Sequence, residues 1–224
     1  MMERAHADER TCWRCGAGTG HALICGSCDA VQPVAPDPDL FAILGLPRTL
    51  VIDAAELERR YHEASRLVHP DRHQTAGGRE RDLSLAASAA VNRAYRTLRD
   101  PIARGRYWLE LHGATVAERS QQVPPALAAE VFETQEVLAA FREASGESAE
   151  RLRADVGALR HGLAARLDGL RAALVDSYRG WNGDAPGTLE ELKRRLSEIA
   201  YLRTLLGDIE DTVGEGLRGT HHRH

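Results

Sequence analysis

At 224 residues with 43% hydrophobic content, the chain is long enough for one large domain or two small ones with real cores. A net charge of −4 argues against a protein whose main work is gripping nucleic-acid phosphates, because that work needs a basic surface, although a local basic patch is still allowed. Residues 1–10, MMERAHADER, hold no apolar run of a secretory leader and are too acidic for a mitochondrial presequence. Nowhere do the roughly 18 uninterrupted apolar residues of a membrane span occur, so the chain reads as soluble and cytoplasmic, with neither nucleic acid nor membrane as partner.

All four cysteines fall in the first 28 residues, as Cys12-Trp13-Arg14-Cys15 and Cys25-Gly26-Ser27-Cys28, nine residues apart. Two CxxC knuckles deliver four thiolates to a tetrahedral ion, with Gly16 and Gly26 giving the backbone freedom to turn its amides toward the sulfurs. A disulfide or redox reading needs a different context from the one residues 1–10 imply. Structural zinc on Cys12, Cys15, Cys25 and Cys28 is therefore the expectation, with no open position for chemistry and with the metal supplying the folding free energy of a segment this small. His21 lies between the pairs and reads as a surface residue beside a complete ligand set. Residues 31–38, VQPVAPDP, read as a proline-rich linker.

From Asp39 onward the signals are helical. A short apolar helix, DLFAILGLP, closes at Gly45. A second helix opens with Asp53 and Glu56 spaced as a capping box, and Leu57, Tyr61, Ala64 and Val68 mark its buried face. Arg59, Arg60 and Arg66 lie on other faces, where Glu58 and Glu63 make a solvated surface the bland alternative. Pro70 ends this helix at His69, leaving His69 and Asp71 at an exposed loop tip. A third helix carries Leu83, Ala87, Val91, Ala94, Tyr95 and Leu98; Asp100 with Pro101 starts a fourth that stops at Gly113.

Three further helices follow. Pro124-Pro125 open one with Val131, Phe132, Leu138 and Phe141, broken near Gly146. Leu152, Val156, Leu159, Leu163, Leu170 and Leu174 step along a longer one by threes and fours. Thr188 and Glu191 form a capping box for the last, which carries Leu192, Leu196, Ile199, Leu206, Ile209 and Val213. Short turns between amphipathic helices predict an antiparallel bundle. The terminal THHRH holds three histidines with no partner motif and reads as incidental.

A catalytic reading of His69 and Asp71 lacks support, since no nucleophile elbow, zinc-protease helix or glycine-rich phosphate loop accompanies them. A metal site on His69, Asp71 and His73 lacks preorganisation. A helix bearing basic residues, then His69-Pro70-Asp71, a loop and a second long helix, resembles the J-domain of DnaJ-type co-chaperones. More closely, DLFAILGLP, VHPDRHQ, AAVNRAYRTLRDPIARGRYWLELHG and the helical last third resemble the HscB family, the J-proteins of iron–sulfur cluster biogenesis, over about residues 39–217. The cysteine extension is similar to the zinc-binding N-terminus of some members.

The resemblance implies an all-α chain: a zinc module and linker at 1–36, a J-domain at 37–114, a three-helix bundle at 115–218 and a disordered tail at 219–224. It implies a co-chaperone, not an enzyme, that stimulates ATP hydrolysis by a DnaK/HscA-type chaperone through His69, Pro70 and Asp71, with Arg59, Arg60, Arg66 and Arg72 as electrostatic rim. It also implies delivery of an IscU-like iron–sulfur scaffold protein, docked on Ala128, Ala129, Phe132, Glu133, Glu136 and Tyr201. Alanines at 128 and 129 replace bulky apolar family residues and remove buried area worth roughly 0.8 kcal/mol per methylene, which shifts weight to Phe132 and Tyr201 as aromatic anchors. By periodicity alone, Phe132 is equally a core residue. The zinc module is open to three roles: pairing two copies, touching the scaffold, or stabilising the N-terminus. The alternatives are a general DnaJ-type co-chaperone for unfolded clients, which lacks its glycine-rich linker and CxxCxGxG repeats here, and a zinc-ribbon adaptor for nucleic acid, favoured by Trp13 and Arg14 alone.

Overall fold

Residues 24–31 repeat the backbone of residues 11–18 at an offset of thirteen, Cys12 to Cys25. In the first knuckle the Cys12 amide donates to the Ala17 carbonyl (2.7 Å) and the Gly16 amide to the Cys12 carbonyl (2.9 Å). In the second, the Cys25 amide donates to Ala30 and the Asp29 amide to Cys25, both at 2.9 Å. Each closes an isolated antiparallel bridge, Thr11 with Gly18 and Ile24 with Val31. The residue after each CxxC must turn left-handed: Gly16 has φ 75° and Asp29 φ 55°. The sequence assigns the second of these bends to Gly26, but it falls on Asp29, whose short polar side chain tolerates that conformation. Cys12, Cys25 and Ala30 are the buried centre, with Trp13, Ala17 and Cys28 against it. The structure, a computed structural model, describes residues 10–20, 22–73, 77–117, 123–181 and 186–220. His21, His221, His222 and His224 lie outside the described residues.

Helix α1 (Leu40–Ile43) starts at Asp39, whose carboxylate accepts from the Phe41 amide at 3.0 Å, and buries Leu40 and Phe41. Helix α2 (Ala54–Val68) starts at Asp53, which accepts from the Glu56 amide at 2.8 Å. Only that half of the expected capping box forms, because the Glu56 carboxylate accepts from Arg59 and Arg60 instead. Helix α3 (Gly78–Arg99) runs antiparallel to α2. At one end Ser84 and Ser88 donate to the Val68 carbonyl (2.7 and 3.0 Å); further along, Tyr61 donates to Asn92 (2.9 Å) and stacks on Tyr95 at 4.1 Å. Ala87, Val91, Ala94 and Leu98 make its buried face, as the periodicity requires. Helix α4 (Pro101–Leu111) is capped by Asp100, which accepts from the Ile102 and Ala103 amides at 2.8 Å each, and ends at Gly113 with φ 73°.

Two compact units divide the chain, Met1–Arg104 and Gly105–His224, with the division inside α4. In the second unit a 3-10 turn at Pro125–Leu127 leads into α5 (Ala128–Glu143), followed by α6 (Glu147–Tyr178) and α7 (Pro186–Thr220). These three pack as the expected bundle around Leu127, Leu138, Phe141, Val156, Leu163, Leu202, Leu205 and Ile209. Ion pairs Arg166–Glu130 and a hydrogen bond from Arg142 to Thr212 (3.0 Å) tie α5 to its neighbours. Helix α7 starts at Pro186, so Thr188 is already inside it and does not cap; a proline at the first position brings a preset φ and no amide to satisfy. Glu191, the other half of the expected box, pairs with Arg194 and Arg195. The helix continues to Thr220, two residues into the stretch read as tail. The second half of α4 lies so close to α6 and α7 that a Cβ on Gly105 would come within 2.4 Å of the Tyr178 hydroxyl oxygen and 3.3 Å of Leu192.

Candidate functional site

The two knuckles bring the Sγ atoms of Cys12, Cys15, Cys25 and Cys28 within 4.8 Å of one another. The Cys12–Cys28 and Cys15–Cys25 separations are 3.6 and 3.7 Å. Disulfide sulfurs stand about 2.05 Å apart, whereas four sulfurs at about 2.3 Å from one tetrahedral ion are about 3.8 Å apart. The donor set fits a metal. The Arg14 amide donates to Cys12 Sγ (3.3 Å) and the Ser27 amide to Cys25 Sγ (3.4 Å), so each knuckle aims a backbone dipole at its own first sulfur. Burial pushes the Cys12 thiol up, but the amides of Cys15 and Arg14, with Cys28 and Gln32, bring it down to about 6. The Ala30 amide draws the Cys28 thiol down, yet burial and its three sulfur neighbours push it up to about 12. Gln32, which the sequence reading missed, is buried and donates its amide to both Cys12 Sγ (3.3 Å) and the Ala30 carbonyl (2.7 Å).

At the far end of α2, His69 takes the extended backbone (φ −62°, ψ 130°) that a following proline demands, and Pro70–His73 form a single 3-10 turn. The side chains of His69 and Asp71 are 53% and 72% exposed. The Asp71 amide donates to His69 Nδ1 at 3.3 Å. The last carbonyl of α2 is the one that Ser84 and Ser88 hold, so α3 fixes the point from which the tip departs. These serines were not among the sequence candidates; their signal is two small hydroxyls four residues apart beside the apolar stripe of Ala87 and Val91.

The four rim arginines are not equivalent. Arg59 donates to Glu56 (2.6 Å) and to Glu63 (2.5 Å), and Arg60 to Glu56 (2.7 Å). The Arg60 and Arg59 guanidiniums together hold the Glu56 carboxyl below the usual carboxylate range. Arg66 and Arg72 have no carboxylate partner among the described residues; the Arg72 guanidinium donates to the Arg66 carbonyl at 3.3 Å. They flank one shallow depression together with Ser65 and His69.

On α5, Ala128, Ala129, Phe132, Glu133 and Glu136 all lie on one exposed face, and Phe132 is 66% exposed. Tyr201 is not with them. It is 8% exposed, among the core residues Leu202 and Leu205 of α7, and burial pushes its hydroxyl above the usual phenol range.

Comparison with known proteins matches the DnaJ domain family over residues 39–107. The human iron-sulfur cluster co-chaperone protein HscB is 37% identical over 143 residues, 62% of this chain and 60% of the human one. The chain thus spans less than two thirds of that relative's length. The co-chaperone protein HscB homolog of Bordetella avium is 36% identical over 170 residues, 72% of this chain and 96% of its own. The crystal structure of human co-chaperone protein HscB superposes with a TM-score of 0.67 at 28% identity, covering 90% of this chain and 97% of that one. No helix among the described residues is long and apolar enough to cross a membrane.

Proposed function

Because the chain belongs to the HscB family of co-chaperones, covering 96% of a member to which it is 36% identical, we propose that it stimulates ATP hydrolysis by a DnaK/HscA-type chaperone and brings to it an IscU-like scaffold protein carrying an iron–sulfur cluster. The observation behind this reading is the His69-Pro70-Asp71 tip, exposed between two antiparallel helices of a DnaJ-type domain. Two exposed polar side chains joined by a rigid proline suit contact with a partner's groove. Hydrolysis then takes place in the chaperone, where the docked tip biases a conformational step, while Arg66 and Arg72 steer the approach and Arg59 and Arg60 frame it.

The scaffold is read as docking on the α5 stripe. Ala128 and Ala129 let a partner approach closely, Phe132 offers an aromatic anchor, and Glu133 and Glu136 supply a polar edge. Tyr201, buried in the bundle core, is not part of that exposed stripe. Domain limits at 37–114 and 115–218 follow the same division of labour, the first for the chaperone and the second for the scaffold.

Zinc is the ion we assign to Cys12, Cys15, Cys25 and Cys28, since a closed set of four thiolates at tetrahedral spacing suits structural zinc. When bound it supplies a four-way cross-link and no open coordination position. Trp13 and Arg14, the residues that favour the nucleic-acid alternative, also have partners within the chain: Arg79 lies 4.4 Å from the Trp13 ring and Arg14 3.7 Å from Glu80.

Single-turnover ATP hydrolysis by the partner chaperone, with wild type and His69→Gln, tests the assignment. Wild type accelerates the step and His69→Gln leaves it near the basal rate; equal acceleration by both overturns the assignment of the tip.

A further inference from the structure

The two knuckles share one backbone, so the metal site asks nothing of the side chains inside the first CxxC that Gly26 and Ser27 do not provide in the second. Yet the first knuckle carries a tryptophan and an arginine. The Trp13 indole N–H donates to the Val31 carbonyl at 2.7 Å, which fixes the ring to the second knuckle, and the Arg79 guanidinium lies 4.4 Å from the ring centroid. The Arg14 guanidinium stands 3.7 Å from one oxygen of Glu80, whose side chain is only 11% exposed. The other oxygen of Glu80 stands 3.8 Å from Nδ1 of His73, and the opposite ring nitrogen of His73 meets the Leu67 carbonyl at 3.4 Å.

Arg79 and Glu80 are the second and third residues of α3, and His73 closes the 3-10 turn that contains Pro70 and Asp71. The first turn of α3 needs outside help: its N-cap is Gly77, with no side-chain hydrogen bond to the free amides. Glu80 occupies the position where a capping-box glutamate would fold back on its own helix, but its carboxylate faces Arg14 and His73.

We propose that Trp13 and Arg14 are positioning residues for the His69-Pro70-Asp71 tip, acting through Arg79, Glu80 and His73, so that the cysteine module sets the tip's geometry in addition to folding itself. The proposal rests on the reading that this tip drives the chaperone. Arg14 is the permanent cation beside a buried carboxylate, whereas His73 is charged only when protonated. Without Arg14 the turn samples more arrangements, and apparent affinity for the chaperone falls in proportion to the fraction that remains competent.

The test compares wild type, Arg14→Ala, Arg14→Lys and Trp13→Leu, with Arg81→Ala as control for an exposed arginine one residue beyond Glu80. Three quantities are read: bound metal per chain, amide exchange over residues 70–73 and 77–81, and the co-chaperone concentration giving half-maximal ATPase stimulation. Arg14→Ala and Trp13→Leu keep their metal, exchange faster over these segments and need roughly three- to ten-fold more protein for half-stimulation, with an unchanged plateau. Arg14→Lys recovers part of the loss and Arg81→Ala matches wild type. Unchanged exchange and half-stimulation in Arg14→Ala overturn the proposal; so does loss of metal, since the residue would then serve the module alone. If wild type gives no stimulation, the chaperone reading fails and the exchange data still decide the clamp.

Discussion

Phe132 carries much of the case for scaffold docking, and its exposure is the informative fact. A phenylalanine 66% exposed on a face with two alanines leaves apolar area uncovered that a partner would bury. Phe132→Ala is expected to weaken scaffold binding by about 2 kcal/mol, roughly thirty-fold in Kd, measured by titration calorimetry; wild-type affinity in the variant would exclude the stripe. Periodicity left Phe132 open between core and surface because α5 is apolar on more than one side. Tyr201 is the opposite case, adjacent in sequence to core residues and buried with them. Gly105 could not be singled out from sequence, since the neighbours that crowd it, Tyr178 and Leu192, lie more than seventy positions on. Gly105→Ala pushes a methyl group into the Tyr178 hydroxyl and is expected to lower stability by about 1–3 kcal/mol. A lower urea midpoint at unchanged slope would show it.

The helices were legible where a 3.6-residue apolar period coincided with a cap, as at Asp53 and Asp100. At α7 two start signals compete within three residues, and the proline precedes the Thr188 box. What the local pattern could not convey is how one helix completes another. The Val68 carbonyl ends α2 with no continuing turn, and two hydroxyls from α3 satisfy it. Replacing both, Ser84→Ala with Ser88→Ala, strips a buried acceptor and is expected to cost about 1–3 kcal/mol. Faster amide exchange at Asp71 and Arg72 than at the centre of α2 would place that loss at the tip; uniform change along α2 would refute it.

Across the whole chain, the order of parts was readable because each has its own chemistry: cysteines first, then the tripeptide between basic and apolar helices, then three long amphipathic helices. The link from Arg14 to Glu80 was not, because a contact sixty-six positions apart leaves no periodic trace. The module's buried centre amounts to two cysteines and an alanine, too little to hold itself without metal. Chelation is therefore expected to abolish amide protection over residues 11–31 while α5, α6 and α7 keep theirs, as exchange read by mass spectrometry would show; retained protection at 11–31 would mean that protein contacts alone suffice. The unequal rim has a kinetic counterpart. With Arg59 and Arg60 already matched by Glu56 and Glu63, the proposed docking predicts that a negatively charged chaperone surface is attracted mainly by Arg66 and Arg72, at the tip end of α2. On that proposal, added salt is expected to slow encounter as though two charges were screened instead of four, and to leave the lifetime of the docked tip largely untouched.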